Sequence, residues 1–409
     1  MIKGAATNAQ TKGPVLETRR RMVPETLSRM PHKDPPAMIS EIYFWQHEMN
    51  PHVIPLANAI ARRGDAGRTL CIAQEPLNPR RVAQGIPGDQ MPDCETIVAP
   101  SAAEVARIVA QSAPDSVHLF YGMHWVPCIV EGIRQAAQHD RFFGLISEPR
   151  VLAGWKGKLR LAHSWTQERR HRRHARFVGA IGRHGPRWFR LTGYGARVFP
   201  FAYFIDPPPI DPPPAPPARD SGRLRIGYIG RLIEPKGFGV FLRLIEAAQG
   251  RHDVFIAGSG AMAETAAALA AQRPEVTFAG VVPMTQVPAW MAGLDAVVVP
   301  SLTTDDGWAV VVSEALFAGT FAVINGRVGA SVLADEDGIA ARIDSDDPRD
   351  YLAALEAAAA RGALDAPSRA HRSHYAASHL SADAGAAYLM GILDHLRDGA
   401  TPRPKPYHL

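Results

Sequence analysis

Residues 206–220, DPPPIDPPPAPPARD, limit the possible folds of this chain more than any other stretch, because eight of the eleven positions 207–217 are proline. Proline has no backbone donor and a fixed φ, so neither a helix nor an interior strand runs through such a segment. It forms a semi-rigid polyproline spacer instead. The spacer divides the chain into halves of about 170 and 190 residues once the first residues are set aside, each of domain size. Residues 1–37 carry Lys3, Lys12, Arg19, Arg20 and Arg21 without the apolar run of a signal peptide, and are expected to form a flexible extension.

In both halves, short β-branched runs alternate with segments of helical spacing. In the second half, 224–229 (LRIGYI), 253–257 (DVFIA), 276–278 and 296–299 (AVVV) read as strands, and 239–248, 262–272 and 287–292 as helices. In the first, 39–44, 69–73, 117–121 and 143–146 read as strands, and 53–63, 102–110 and 129–137 as helices. This alternation implies parallel sheets covered on both faces. The expected class is α/β, with two doubly wound Rossmann-like domains facing each other across a cleft. The expected boundaries are 38–206 for the first domain, 207–222 for the linker and 223–382 for the second domain. Residues 383–409 form a final helix and tail, with Tyr388, Leu389, Ile392, Leu393 and Leu396 at helical spacing, expected to cross back onto the first domain. Ligands of such sheets collect at the carboxyl ends of the strands.

Hydrophobic residues at 46% and charged residues at 21% exclude a disordered or fibrous chain. Cys71, Cys94 and Cys128 are widely spaced without a CxxC pair, which argues against a disulfide framework or cysteine zinc site and for a reducing compartment. No apolar run approaches the ~20 residues that cross a bilayer, so the expected location is the cytoplasm or the inner face of a membrane. The net charge is +5, yet residues 156–190 hold eleven lysines and arginines against one acid, Glu168, a local excess of +10. Trp155, Leu159, Leu161, Trp165, Trp188 and Phe189 are interleaved with them, a composition that suits an anionic membrane surface. A solvated arginine-rich helix face is the plain alternative. Nucleic acid ranks lower, because no nucleic-acid module is recognisable elsewhere. HRRH at 171–174 has no partner set for a metal.

Two constellations carry chemistry. GRLIEPKG at 230–237 sets Arg231 and Lys236 in a glycine-bounded loop ahead of a helix, where cations and backbone amides together suit a pyrophosphate; an exposed charged loop is the equal alternative. Within 300–316, Asp306 and Glu314 bracket a helix start, so that two carboxylates can receive hydroxyls of one polyol while the amides between them bind an anion. An acidic turn plus one solvated glutamate is the bland reading.

From 225 to about 359 the chain resembles the donor-binding half of the retaining GT-B glycosyltransferases of family 4, with GRLIEPKG, IAGSG, FAGVVP, DAVVVPS and a D-x7-E run followed by ALFAG in that order. The resemblance implies a GT-B fold and transfer of a hexose, with retention, from a nucleoside diphosphate sugar to a glycan, glycolipid or glycoconjugate acceptor in polysaccharide or glycolipid assembly. It implies that Arg231 and Lys236 neutralise the pyrophosphate and leaving phosphate, and that Gly280, Val281 and Val282 frame the base. Asp306 would receive a sugar hydroxyl, Gly307, Trp308 and Ala309 would offer backbone amides, and Glu314 would hold the ribose. Gly230, Gly258, Gly260 and Ser301, in the same motifs, complete the implied donor set. Family members usually have Glu where Asp306 stands, and a small residue or Phe-Gly at 308–309.

The first half resembles the family in outline only. There His52 is an acceptor-side candidate, with helix capping as the equal alternative, and Glu148 is another, with an ion pair to Arg150 or Lys156 as its alternative. His124, followed by Trp125 beyond the 117–121 strand, is the candidate catalytic histidine; His118, inside the strand, reads as a core residue. No Asp-x-Asp motif follows a strand end, so donor binding is expected to need no metal and no cofactor besides the nucleotide sugar. A GT-B epimerase or phosphorylase and a catalytically silent binding subunit are the competing classes.

Overall fold

A computed structural model describes residues 39–79, 82, 93–207, 222–304 and 306–409. The expected extension at 1–37 and the spacer at 208–221 lie outside these described residues. Seven parallel strands form the first sheet: β1 (Ile39–Glu48), β2 (Ala66–Glu75), β3 (Glu95–Val98), β4 (Val117–Tyr121), β5 (Phe142–Ser147), β6 (Phe177–Ile181) and β7 (Val198–Phe201), in the order 3-2-1-4-5-6-7. The second sheet has six: β8 (Arg225–Ile229), β9 (Asp253–Ala257), β10 (Val276–Phe278), β11 (Ala296–Val299), β12 (Phe321–Asn325) and β13 (Ala340–Ile343), in the order 10-9-8-11-12-13. In each sheet the winding reverses beside the first strand, where Ile42 pairs with Val117 and Ile226 with Ala296. Connections leave in opposite directions there, which opens a crevice at the strand ends. Both faces are covered, so β11 and β12 are buried at every position and read as unbroken apolar runs.

The basic stretch 156–190 is not one surface segment. Its middle is β6, FVGAI, buried throughout, and Trp188 and Phe189 are core residues of the helix Gly185–Leu191. The surface part is the pair of helices Gly154–Gln167 and Arg169–His174. Cys71 and Cys94, 23 positions apart in sequence, stand 3.3 Å apart, sulfur to sulfur, as free thiols on and beside neighbouring strands.

The chain leaves the first sheet and returns to it through one hydrogen-bonded crossing. The Ile205 amide donates to the Leu380 carbonyl at 3.1 Å, and the Ala382 amide donates to the Ile205 carbonyl at 3.0 Å, a parallel bridge between the outgoing and returning segments. The returning helix Ala382–Asp398 packs on the helix Ile54–Arg63, and the Tyr388 hydroxyl donates to the Pro200 carbonyl at 2.9 Å. Farther on, the Arg403 guanidinium lies 3.8 Å from the centre of the Phe199 ring.

A second contact joins the sheets at the crevice. The Gly307 carbonyl sits so close to Gly182 of the first sheet that a side-chain carbon on Gly182 would lie 2.2 Å from it; one on Gly329 would lie at 1.6 Å. The Arg183 amide donates to the Gly329 carbonyl at 2.8 Å, and its guanidinium pairs with Asp335 at 2.8 Å. Gly182→Ala tests this contact against Gly195→Ala, a glycine of similar φ (+59° against +70°) with open space around it. Gly195→Ala should cost only the left-handed backbone term, about 1–2 kcal/mol. Gly182→Ala should cost at least about 1 kcal/mol more through the steric clash, read as the difference in melting temperature between the two variants.

Candidate active site

The carboxyl ends of the two sheets enclose a cavity of about 740 Å³. From the first sheet it is lined by Asn50, His52, Glu148 and Tyr203, and from the second by loops that carry Arg231, Lys236, Ser301 and Asp306 and by Glu314 of the helix that follows. The loop after β8 is shaped by close backbone contact: Gly258 has φ +137°, and a side-chain carbon there would lie 1.8 Å from the Gly230 carbonyl. The Tyr228 hydroxyl donates to the carbonyls of Arg231 at 2.9 Å and Lys236 at 3.3 Å, holding both cation-bearing residues at the rim.

Lys236 and Asp306, assigned separate partners from the sequence, are joined to one another. Lys236 Nζ is 2.8 Å from Asp306 Oδ1, while the buried Ser301 hydroxyl donates to Asp306 Oδ2 at 2.8 Å. Each retains hydrogen-bonding capacity: an ammonium has three donors and a carboxylate about four acceptor sites. Arg231 is exposed at the cavity and makes no ion pair among the described residues.

Ala309 caps the helix Val310–Phe317 in left-handed backbone (φ 67°, ψ 82°), and among the described residues no side chain caps the first-turn amides. A non-glycine residue is rarely left-handed, and the cost, of order 1–2 kcal/mol, is borne where it aims Val310 and Val311 at the cavity. An uncapped helix N-terminus carries partial positive charge and favours an anion. One turn in, Glu314 has no side-chain hydrogen bond or ion pair among the described residues, and burial pushes its carboxyl up to about 7.

Most expected site residues line this one cavity: Gly230, Arg231, Lys236, Gly258, Val281, Val282, Ser301, Asp306, Gly307, Trp308, Ala309, Glu314, His52 and Glu148. Trp308 does so through its backbone. Its indole is 1% exposed, donates to the Ser313 hydroxyl at 3.0 Å and packs against Tyr407, so its bulk does not shape the sugar position. His52 is not a cap. Val53 holds the N-cap position without a side-chain bond, and the His52 ring instead faces Tyr203 at 6.0 Å. Glu148 accepts from the Tyr203 hydroxyl at 3.1 Å, and a side-chain carbon on Gly307 would lie 2.2 Å from its carboxyl carbon.

Three expected residues lie elsewhere, one of them Gly280, which does not line the cavity and whose carbonyl accepts from the Gly258 amide at 2.6 Å. Gly260 packs on the Leu232 carbonyl, 2.5 Å from where its side-chain carbon would stand, and serves the loop rather than the cavity. His124 does not line the cavity either: its Nε2 is 3.9 Å from Glu168 Oε1 and its ring 5.8 Å from that of His171. Trp125, left-handed at φ 74°, turns the loop so that the indole faces solvent and His124 faces the helices behind it. Asn50, Tyr203, Tyr228 and Met284 line the cavity and were not singled out from the sequence. Tyr203 belongs to no motif; its one signal is its place just before the spacer. Among the described residues, no group of three or more His, Cys, Asp or Glu is arranged to hold a metal.

Residues 223–361 match the family model described as glycosyl transferases group 1. No curated protein matches the sequence. Among solved structures, HepE from Anabaena in complex with UDP superposes with a TM-score of 0.64 at 14% identity, covering 87% of this chain and 99% of that one. Sucrose-phosphate synthase from Thermosynechococcus elongatus gives 0.63 at 14% identity over 88% and 100% of the two chains. The lipopolysaccharide outer core galactosyltransferase WaaB gives 0.61 at 12% over 88% and 99%. The chain has the GT-B fold, and its second sheet lies within the segment that matches the glycosyl transferases group 1 model.

The unpaired carboxyl makes a pH-dependent signature. Glu314 titrates near 7 in the folded chain against an ordinary 4.5, so the folded state holds the extra proton between those values. Its cost to stability is absent below 4.5, grows as pH rises and is complete above about 7. Glu314→Gln should therefore raise the melting temperature at about pH 8, by the equivalent of on the order of 1–3 kcal/mol, and leave it unchanged at about pH 4. Equal shifts at both pH values would remove the burial explanation.

Proposed function

We propose that the chain is a nucleotide-sugar-dependent glycosyltransferase that moves a hexose, with retention, to a glycan or lipid-linked acceptor. One observation carries this reading: Arg231, Lys236 and an uncapped helix N-terminus share one cavity with an unpaired carboxyl, Glu314. A diphosphate satisfies the first three. Adjacent ribose hydroxyls satisfy the fourth, donating to the carboxylate and drawing its titration back down. The apolar wall of Val281, Val282, Met284 and Val287 suits a planar base. The HepE structures that share this fold hold UDP and UDP-glucose, which makes uridine diphosphate sugars the first donors to try.

In the reaction the bond from the sugar's anomeric carbon to the diphosphate oxygen breaks, and a bond to the acceptor hydroxyl oxygen forms on the same face. The acceptor proton passes to the departing phosphate. The barrier lies in the charge that develops on the diphosphate, and fixed donors aimed at that charge lower it. Lys236, Arg231 and the amides of Val310 and Val311 supply them. When Lys236 turns toward phosphate, Asp306 Oδ1 is released to accept from a sugar hydroxyl, while Ser301 keeps Oδ2 in place. His52, Glu148 and Tyr203 form the opposite wall, where the acceptor hydroxyl enters.

A thermal-shift panel of UDP, GDP, ADP and dTDP sugars should show one base class raising the melting temperature, by the equivalent of about 2.7 kcal/mol at a hundredfold excess over Kd. No shift with any of them would overturn the donor reading. With that donor, Lys236→Ala should lower turnover at least roughly tenfold, about 1.4 kcal/mol of barrier. Near-wild-type turnover in a folded variant would remove Lys236 from the mechanism.

A further inference from the structure

Of the large apolar side chains on the helix Gly154–Gln167, Leu161 packs on the core and the other three are half or more exposed. The helix buries Gly157 and Ser164 against the domain, with Glu168 buried just beyond its end, and turns Trp155, Leu159 and Trp165 outward at 68%, 59% and 50% exposure. Trp125 stands 87% exposed on the neighbouring loop, which abuts this element through His124 and Glu168. A surface helix ordinarily turns its large apolar side chains to the core. Large apolar groups held in solvent, ringed by charge, mark a surface that meets something else.

We propose that this face docks on an anionic lipid bilayer, and that the acceptor is presented from that bilayer. The charge is complementary: residues 154–174 include a single acid, Glu168, and it is buried, while Lys156, Lys158, Arg160, Arg169, Arg170 and Arg173 are exposed. Tryptophan and leucine among cations suit the headgroup zone, where the ring sits at the interface and the cations meet lipid phosphates. Arg169, Arg170 and Arg173, with Thr166 and Gln167, line an open basin of about 470 Å³ at the end of the helix, which fits phosphate headgroups. Nucleic acid would need free ring faces for stacking, and one face of Trp165 is already covered by the Arg172 guanidinium, 4.6 Å from the ring centre.

The face adjoins the acceptor wall. Trp125 follows β4, Glu148 follows β5, and the docking helix starts six residues after Glu148, so all three issue from the carboxyl edge of the first sheet. Docking does not depend on the glycosyltransferase reading; the lipid-borne acceptor does. Among the described residues no helix is long and apolar enough to cross a membrane.

Co-sedimentation of the full chain with vesicles of phosphatidylglycerol and phosphatidylcholine in equal parts, against phosphatidylcholine alone, tests the proposal. The protein should bind the anionic vesicles, release with salt and show a blue-shifted tryptophan emission. Arg169→Ala/Arg170→Ala/Arg173→Ala should lower the partition coefficient at least roughly tenfold, and Trp155→Ser/Leu159→Ser should abolish the blue shift. All five side chains are exposed, and an unchanged melting temperature and unchanged donor-induced shift in both variants would separate docking from the donor site. No anionic-vesicle binding at low salt, equal binding to neutral vesicles, unchanged binding by the arginine variant, or tighter binding to a single-stranded oligonucleotide than to vesicles would each overturn it.

Discussion

The Gly307 carbonyl, closely approached by both Gly182 and Gly329, is the contact on which the site's geometry rests. Three backbones meet with no room for a side-chain carbon at any of them. That contact ties the loop carrying Asp306 and the left-handed Ala309 to the first sheet, and brings the Glu148 carboxyl against Gly307. The hydrogen bond from the Gly329 amide to the Asp306 carbonyl, at 3.1 Å, and that from the Ala330 amide to the Trp308 carbonyl, at 2.9 Å, hold the loop from below. A cavity walled by two sheets therefore has one shared seam, and the second tie, at Ile205 and Ser381, lies where the chain crosses between them.

On this frame the site is electrostatically unfinished. Lys236 leans on Asp306, Arg231 has no ion-pair partner among the described residues, the helix Val310–Phe317 has no side-chain cap, and Glu314 is raised toward neutrality by burial. Of these, the buried Glu314 carboxyl costs the folded protein stability as pH rises toward 7, and under the proposed function a diphosphate beside a diol meets all four features together. The Trp308 indole, by contrast, has a donor bond, a ring neighbour and almost no exposure, which marks it as part of the packing that supports the loop.

Much of the fold was legible because parallel strands buried on both faces leave short apolar runs ended by glycine or a polar turn. DVFIA and AVVV match β9 and β11 at both ends for that reason. The strands β3, β6, β7, β12 and β13 were not read; β6 is embedded in arginine-rich sequence whose net charge suggested a continuous surface, and burial of FVGAI shows that charge density on either side of a strand says nothing of the strand itself. The cavity's second-sheet wall was legible for the same reason as its strands, since the motif residues sit at the strand ends. Tyr203 and Asn50 were not, because nothing local distinguishes a cavity-lining tyrosine from a packed one.

By itself the sequence determined the alternation of strand and helix, the break at the proline run, and which loops bring cations and carboxylates to the carboxyl ends of strands, because each of these depends on residues close together along the chain. The tertiary structure decided that Lys236 and Asp306 share a bond across 70 positions and that His124 turns toward Glu168 instead of the cavity. It also decided which arginines are surface and which tie the sheets, Arg183 among the latter. Those outcomes depend on which distant backbones come into van der Waals contact, and spacing along one chain carries no information about that distance.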